Sequence, residues 1–424
     1  MKKSALFLAM AAVSAQSMGA AYKIPEQSVN STALSGAYVA NAHGPDASYY
    51  NPAAMVFNPG GASLEVDATF IKLSSIDFTG QDPLGTAYTD STKAEHFLVP
   101  TIHYVSPAVG NARFGVSVVS PSGLSKRWEG MNGAFAQEFT LKTVEINPTA
   151  GYRFNDRLAI GGGLRILYSS GKVISNKFAN PFVMPAGRDM EGDSWDFGYN
   201  LALHFKATDA IDLAATYRSK ITMTEEGDAT IDAIVGPGFP PPTAVLYKGD
   251  ASVDLPLPAA LNLAAAFDFN QGRTTIELVY ERTFWSAYDE LDFNYASTLP
   301  PPVQGFDDPI PKHWDDSNTF RLGITHQLDP KWTLMGGLAY DETPVPKAYL
   351  GYELPDSDAW LFSLGTRYRA SDAFSVGAAI LYDVKDEVSL TPGDSRLDPP
   401  STVVGEFSNA SAFLFTLGVE YRFQ

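Results

Sequence analysis

Cysteine is absent from all 424 residues, which excludes a disulfide framework and any thiolate metal site. Charge is scarce: 18% of residues carry one, against roughly 25% in ordinary soluble proteins. Basic residues are the scarcer sign, with 30 Lys+Arg against 48 Asp+Glu and a formal net charge of −18. An acidic chain without a basic cluster is a poor nucleic-acid binder. Long apolar runs are also missing. After the first twenty residues nothing approaches the ~20 apolar residues of a transmembrane helix. The longest candidate, Leu255 to Phe267, is broken by Pro256, Pro258 and Asn262. Aromatic residues (12%), glycine (35) and proline (29) are abundant instead, a balance that predicts many strands and many turns.

The first residues read as an export signal. Met1-Lys2-Lys3 is positive, Leu6 to Val13 is apolar, and small residues follow up to Ala20 and Ala21. Residues 1–20 are therefore expected to be a signal peptide, cut after Ala20 or Ala21. An exported chain without a helical anchor is either soluble or an outer-membrane barrel.

Strand patterning separates these two. Near the C-terminus Phe413, Phe415, Leu417, Val419, Tyr421 and Phe423 alternate with Leu414, Thr416, Gly418, Glu420 and Arg422. One face is wholly apolar and the other is mixed or charged. The run matches the ~9–11 residues of a tilted membrane strand. The same period recurs at 158–168, 211–218, 360–369 and 374–383. In each case the other face is small or charged, as a polar lumen requires.

Turn residues punctuate the pattern at Gly110-Asn111, Asn155-Asp156, Thr208-Asp209, Gln271-Gly272, Asp329-Pro330 and Ser371-Asp372. Six short turns separate seven hairpins, hence fourteen strands. The long connections are expected at about 75–94, 122–138, 179–193, 227–248, 294–316, 341–359 and 386–409, an asymmetry typical of outer-membrane barrels. An even strand number puts both ends of the barrel on the periplasmic side. Trp195, Trp285, Trp314, Trp332 and Trp360 lie near strand ends, as interfacial girdles would. Phe423 is followed by one residue, close to the terminal phenylalanine of many such barrels.

Residues 22–61 lack alternation and are small and polar. A fourteen-stranded lumen is too wide for side chains alone to fill, so this segment is expected inside the barrel as a plug. The chain here resembles the FadL/TodX-type outer-membrane transporters of long-chain fatty acids and hydrophobic compounds. The resemblance rests on Asn51-Pro52-Ala53 in the plug and on Trp195 to Asn200, Tyr217 to Lys220, Asp341 to Pro346, and Leu354 to Asp356. These blocks follow the family's order and span nearly the whole mature chain. The resemblance implies an all-β, fourteen-stranded antiparallel transmembrane barrel (62–424) plugged by an N-terminal hatch (21–61). It also implies passive uptake of hydrophobic molecules, with lateral exit through the wall at a kinked third strand.

Several residues are singled out. Arg113 to Val119 reads as strand, and Ser120-Pro121-Ser122-Gly123 breaks it, because proline lacks a ladder donor and glycine lacks bulk. The strand either ends there or kinks; by resemblance Pro121 and Gly123 form the lateral opening. Leu124, Trp128, Met131, Phe135 and Phe139 recur at near-helical spacing and predict a short amphipathic helix. Its apolar face would either take a greasy ligand, as the family's outer groove does, or pack on neighbouring loops. Residues 178–185 and 234–240 are apolar loops expected to cover the lumen mouth. By resemblance Lys177 lies near a basic ligand contact of the fifth strand. Arg165, Arg218 and Arg321 face inward, as ligand contacts or as members of an ion-pair network.

Nothing points to catalysis. The six histidines are scattered, and no H-E-x-x-H or G-x-S-x-G occurs. No catalytic residue, metal site or cofactor is expected. Acidic external loops suggest contact with divalent cations at the lipopolysaccharide surface. The expected partners are a fatty acid or other hydrophobic molecule and outer-membrane lipid, with the protein a monomer. The alternatives are a neutral-hydrocarbon channel, a general porin, a membrane-embedded hydrolase, and a surface adhesin or phage receptor. The plug disfavours a porin, and no Ser/His pair at a membrane edge supports a hydrolase.

Overall fold

The computed structural model describes residues 21–58, 60–181, 184–238, 242–398 and 401–423. The expected signal peptide, 1–20, lies outside the described residues. Among the described residues no helix is long and apolar enough to cross a membrane.

Fourteen antiparallel strands close on themselves. They are β1 (Ser63–Leu73), β2 (Glu95–Val105), β3 (Ala112–Val119, resumed at Gly123–Lys126), β4 (Glu138–Arg153), β5 (Leu158–Ser175) and β6 (Ala186–Thr208). Next come β7 (Ile211–Arg218, resumed at Ile221–Ile234), β8 (Thr243–Leu257, resumed at Ala260–Phe269), β9 (Thr274–Thr283) and β10 (Ser317–Gln327). The last are β11 (Trp332–Asp341), β12 (Ala359–Arg369), β13 (Phe374–Lys385) and β14 (Ser411–Arg422). Closure is through β1, which pairs with β2 from Ser63↔Val105 and with β14 from Ser63↔Arg422. A closed wall leaves no sheet edge, the condition for a strand structure in lipid.

All six expected turns fall between consecutive strands. In the one at 270–272, Asn270, Gln271 and Gly272 all adopt positive φ, which suits asparagine and glycine. Alternation sets the two faces as expected. On β14, Phe413, Phe415, Leu417, Val419 and Tyr421 are exposed, while Leu414, Thr416 and Glu420 are buried. On a barrel this exposure is the lipid-facing side.

Three expectations need correction. The segments 179–193 and 227–248 are partly strand, because β6 begins at Ala186 and β7 runs to Ile234, well past the length a membrane demands. The connections at 75–94 and 386–409 together build an external four-stranded sheet of Val388–Leu390, Val404–Ser408, Asp77–Gln81 and Ala87–Ser91. Trp195, Trp332 and Trp360 are exposed beside Tyr168, Tyr368 and Tyr340, as a girdle requires. Trp285 and Trp314 are buried instead, packed on each other at 5.1 Å and on Tyr22 and Tyr288. Their rings fill the loop interior, where burial outweighs an interfacial position.

Residues 21–58 are almost entirely buried against the inner face of the wall. A short helix, α1 (Val29–Ala33), is capped by Ser28, whose side chain accepts from Ser31 N at 3.2 Å. Thr32 meets Thr416 of β14 at 2.9 Å, and Ser363 of β12 donates to Ala33 O at 2.8 Å. Glu277 of β9 accepts from the amides of Val39 and Ala40 at 2.8 and 2.6 Å. Inward glycines permit the approach: a Cβ at Gly337 would overlap the Leu34 backbone, and one at Gly161 would lie 2.5 Å from Ala53 N.

Candidate functional site

Asn51-Pro52-Ala53 docks this segment on the wall. Asn51 Nδ2 donates to Val39 O at 2.9 Å, and Asn51 Oδ1 accepts from Ala53 N at 3.1 Å, which closes a tight turn. Pro52 then lies over Gly151 of β4 and Gly161 of β5, a pair in register. Ala53 clusters with Ala159 and Ala202.

β3 is interrupted rather than ended. Its lower part pairs with β2 only over Gly115 to Val118, opposite Ile102 to Val105. Both parts stay on β4, with Val119↔Glu145 below the break and Gly123↔Lys142 above it. The ladder between β2 and β3 therefore opens above Ile102. The N-terminal segment satisfies the freed backbone from inside. Ile24 N donates to Pro121 O at 2.9 Å and Gly123 N to Tyr22 O at 3.0 Å. Gln27 Nε2 donates to Ser120 O at 2.8 Å while its Oε1 accepts from Ser120 N at 2.9 Å. Unpaired backbone at this depth would cost several kcal/mol. The gap is closed above by Lys93 N donating to Arg127 O at 2.9 Å and by the Arg127–Glu95 ion pair.

The outer loops enclose a cavity of about 370 Å3, within the range of small-ligand sites. Phe135, Phe139, Met184, Leu291, Phe293, Phe306 and Leu397 give it apolar walls. Arg188 of β6 is the cation at its side. It is 6% exposed, stacks its guanidinium 3.7 Å from the Phe293 ring centroid, and donates to Tyr295 OH at 3.3 Å. Its Nε has no hydrogen-bond partner among the described residues. Lys312 also lines the cavity but is paired with Glu353. Burial pushes the Tyr352 hydroxyl up to about 12, so at neutral pH it remains protonated and able to donate.

The residues expected around Leu124–Phe139 divide between two places. The amphipathic helix is not formed over that span: Gly123–Lys126 is strand, and only Gly133–Ala136 is helical. Backbone pairing with β4 holds the first part extended. Phe135 and Phe139 line the cavity. Trp128 and Leu124 are buried in the loop core, where Trp128 Nε1 donates to Tyr352 O at 2.7 Å. Met131 is half-buried in the turn before the helix. The apolar loop 178–185 supplies Met184 and Pro185 to the cavity, while 182 and 183 lie outside the described residues, as do 239 and 240 of the other loop.

The expected lumen cations are engaged with protein. Lys177 pairs with Asp232 at 2.5 Å, away from the cavity lining. Arg165 pairs with Glu145 at 2.8 Å and donates to Ser219 O at 2.6 Å; Arg218 shares the same Glu145 and stacks on Tyr49 at 4.2 Å. Arg321 donates to Ser35 O at 2.9 Å. These three hold the wall and the N-terminal segment together, the ion-pair alternative of the sequence reading. Arg188 and Lys312 were missed. Neither has a local signature, because Phe293 and Glu353 reach them only in the folded loops. Among the described residues no cluster of His, Asp or Glu could hold a metal ion.

Comparison with known proteins agrees with this architecture. The long-chain fatty acid transport protein of Escherichia coli K12 is 25% identical over 470 residues, covering 99% of this chain and 98% of the relative. The protein of the same name from Salmonella typhi is 26% identical over 459 residues, with the same coverage. A crystal structure of a Pseudomonas aeruginosa FadL homologue matches 96% of this chain and all of that one, with a TM-score of 0.80 at 22% identity. The Pseudomonas putida toluene transporter TodX matches 94% of this chain and 98% of its own, with a TM-score of 0.71 at 18% identity. Residues 10–423 match the family described as outer membrane protein transport protein (OMPP1/FadL/TodX), and the chain belongs to that family of outer-membrane β-barrels.

Proposed function

We propose that the protein admits long-chain fatty acids across the outer membrane by passive diffusion. The observation that carries this reading is the loop cavity, whose apolar walls surround Arg188 with a free Nε. An alkyl chain in that cavity leaves water, worth about 25 cal/mol per Å2. A carboxylate would complete the hydrogen bonding of Arg188. Relatives named long-chain fatty acid transport proteins support the same class. TodX, a toluene transporter by name, keeps a neutral hydrocarbon as the second reading. Phe135 and Phe139 would meet the ligand first. In this reading 1–20 is the export signal, 21–61 the hatch and 62–424 the barrel, inserted as a monomer among outer-membrane lipid and lipopolysaccharide.

Exit follows from the break in β3. A hydrophobic ligand gains nothing by entering the aqueous periplasm. The gap between β2 and β3 at Pro121 and Gly123 is covered from inside by Tyr22, Ile24 and Gln27. Withdrawal of those residues would open a path into lipid, so the hatch acts as the gate.

The test is displacement of a fluorescent fatty acid from purified protein. Arg188→Gln should weaken oleate binding about 10- to 100-fold, the worth of a hydrogen bond to a charged group. Binding of toluene should be unchanged. If oleate binds the variant as tightly as the parent, the carboxylate reading fails and the neutral hydrocarbon takes its place.

A further inference from the structure

The wall has a second interruption, between β6 and β7. Below it the ladder ends at Asn200↔Arg218, and above it pairing resumes at Asp193↔Glu226. Between these ends no ladder pair joins 194–199 to 219–225 among the described residues. Both this break and the one in β3 follow an eight-residue lower strand, Ile211–Arg218 here and Ala112–Val119 there. They therefore lie at a similar height above the periplasmic turns.

The second break is built as the first is. One backbone bond, one hydroxyl and a neighbouring arginine satisfy its lower rim. Ser219 N donates to Tyr199 O and Tyr199 N to Ser219 Oγ, both at 2.9 Å, and Arg165 Nη1 donates to Ser219 O at 2.6 Å. β8 carries a matching interruption at Pro258-Ala259, opposite Ser219-Lys220. Two side chains fill the gap, Ser219 at its lower rim and Ile221 above: a Cβ at Gly198 would lie 2.7 Å from both Ser219 Oγ and Ile221 Cγ1. Ile221 is 2% exposed, whereas Phe197 and Leu201 beside it present 71% and 56% of their surface to the lipid side. A cavity of about 90 Å3 lies on the lumen side. It runs from Pro121 at the first break, past Pro25 and Tyr50 of the N-terminal segment, to Tyr217 and Pro258 at the second.

We propose that the gap between β6 and β7 is a second lateral port, closed by Ile221 over Gly198, through which hydrophobic ligand passes between the lumen and the membrane. The inference rests on the uptake reading but not on exit at β3. One lumen cavity touches both breaks, so a ligand past the hatch meets two doors. Ile221 swings aside by side-chain rotation alone: the Ser219 N–Tyr199 O bond below it stays, and among the described residues no ladder pair joins 194–198 to 220–225. The port therefore has a low barrier compared with intact wall.

The absence of cysteine makes the test clean. Gly198→Cys with Ile221→Cys places the two sulfurs within bonding reach across the gap. The pair is made alone and together with Gly123→Trp, in cells lacking other fatty-acid channels, and uptake of radiolabelled oleate is followed. In the Gly123→Trp background, oxidation should lower residual uptake about fivefold, as closing a gate does, and reductant should restore it. Ile221→Ala should speed uptake about twofold in the same background, with heat-modifiable migration confirming insertion. The port is refuted if uptake is equal before and after a bridge that a non-reducing gel shows to be complete. It is also refuted if Gly123→Trp alone abolishes all uptake. If Gly123→Trp transports at the parental rate, exit at β3 fails, and the cysteine lock still decides the second port by itself.

Discussion

Trp128 shows how a single residue carries the loop architecture. Its indole meets Phe78, Tyr352 and Phe407 and donates to the Tyr352 backbone, so loops distant in sequence converge on it. Trp128→Ala should cost about 3–5 kcal/mol locally, the usual loss for a buried aromatic. Limited proteolysis of the external loops should accelerate, and fatty-acid affinity should fall because Tyr352 lines the cavity. Met131→Ala, at a half-buried position, should leave both nearly unchanged. At this scale the sequence was only partly legible. The five apolar residues from Leu124 to Phe139 were recognisable as important, but their spacing suggested one helix face. Two of them serve the cavity and two the loop core, because pairing with β4 keeps residues 123–126 extended. Arg188 carried no signal, since its aromatic partner Phe293 lies far along the chain.

Among the elements, the N-terminal segment and β3 depend on each other. The glycines opposite the segment are spaces reserved for it. Gly337→Val would force its side chain into the Leu34 backbone, and a displacement is cheaper than an overlap. The barrel should still insert, but the segment should shift, and planar-bilayer recordings should show ion conductance that the parent lacks. Gln27→Ala should act differently. It removes the two side-chain hydrogen bonds that seal Ser120 of β3. The loss, about 1–3 kcal/mol for buried backbone groups left unpaired, should loosen the gate and raise oleate flux without steady conductance. A fall in flux would count against the gating role. Strand elements were legible because lipid on one side and a lumen on the other impose a strict period of two. Pro121 and Gly123 marked a break in β3 but left open whether the strand ends or resumes there, and only the family resemblance favoured a kink. Its pairing to residues 22–27 was not legible, since the N-terminal segment has no alternation to set a register.

For the whole molecule, fourteen strands, alternating short turns and long connections, and a buried N-terminal segment form one consistent design. The turn residues and the apolar alternation made the strand number readable. The external sheet of four short strands was hidden, because it joins two loops that only barrel closure brings together. The polar interior is crowded with ion pairs such as Arg165–Glu145 and Arg367–Glu65, which tie the wall together rather than leave an open pore. In the proposed reading hydrophobic solutes meet the loop cavity and then the covered wall breaks, while the buried N-terminal segment and these ion pairs stand in the way of small hydrophilic solutes. The most direct test compares a strain lacking fatty-acid channels with and without this chain, following labelled oleate and labelled arabinose together. Oleate uptake should rise severalfold with the chain, and arabinose entry should not change. Equal acceleration of both would mark an open porin and contradict the account.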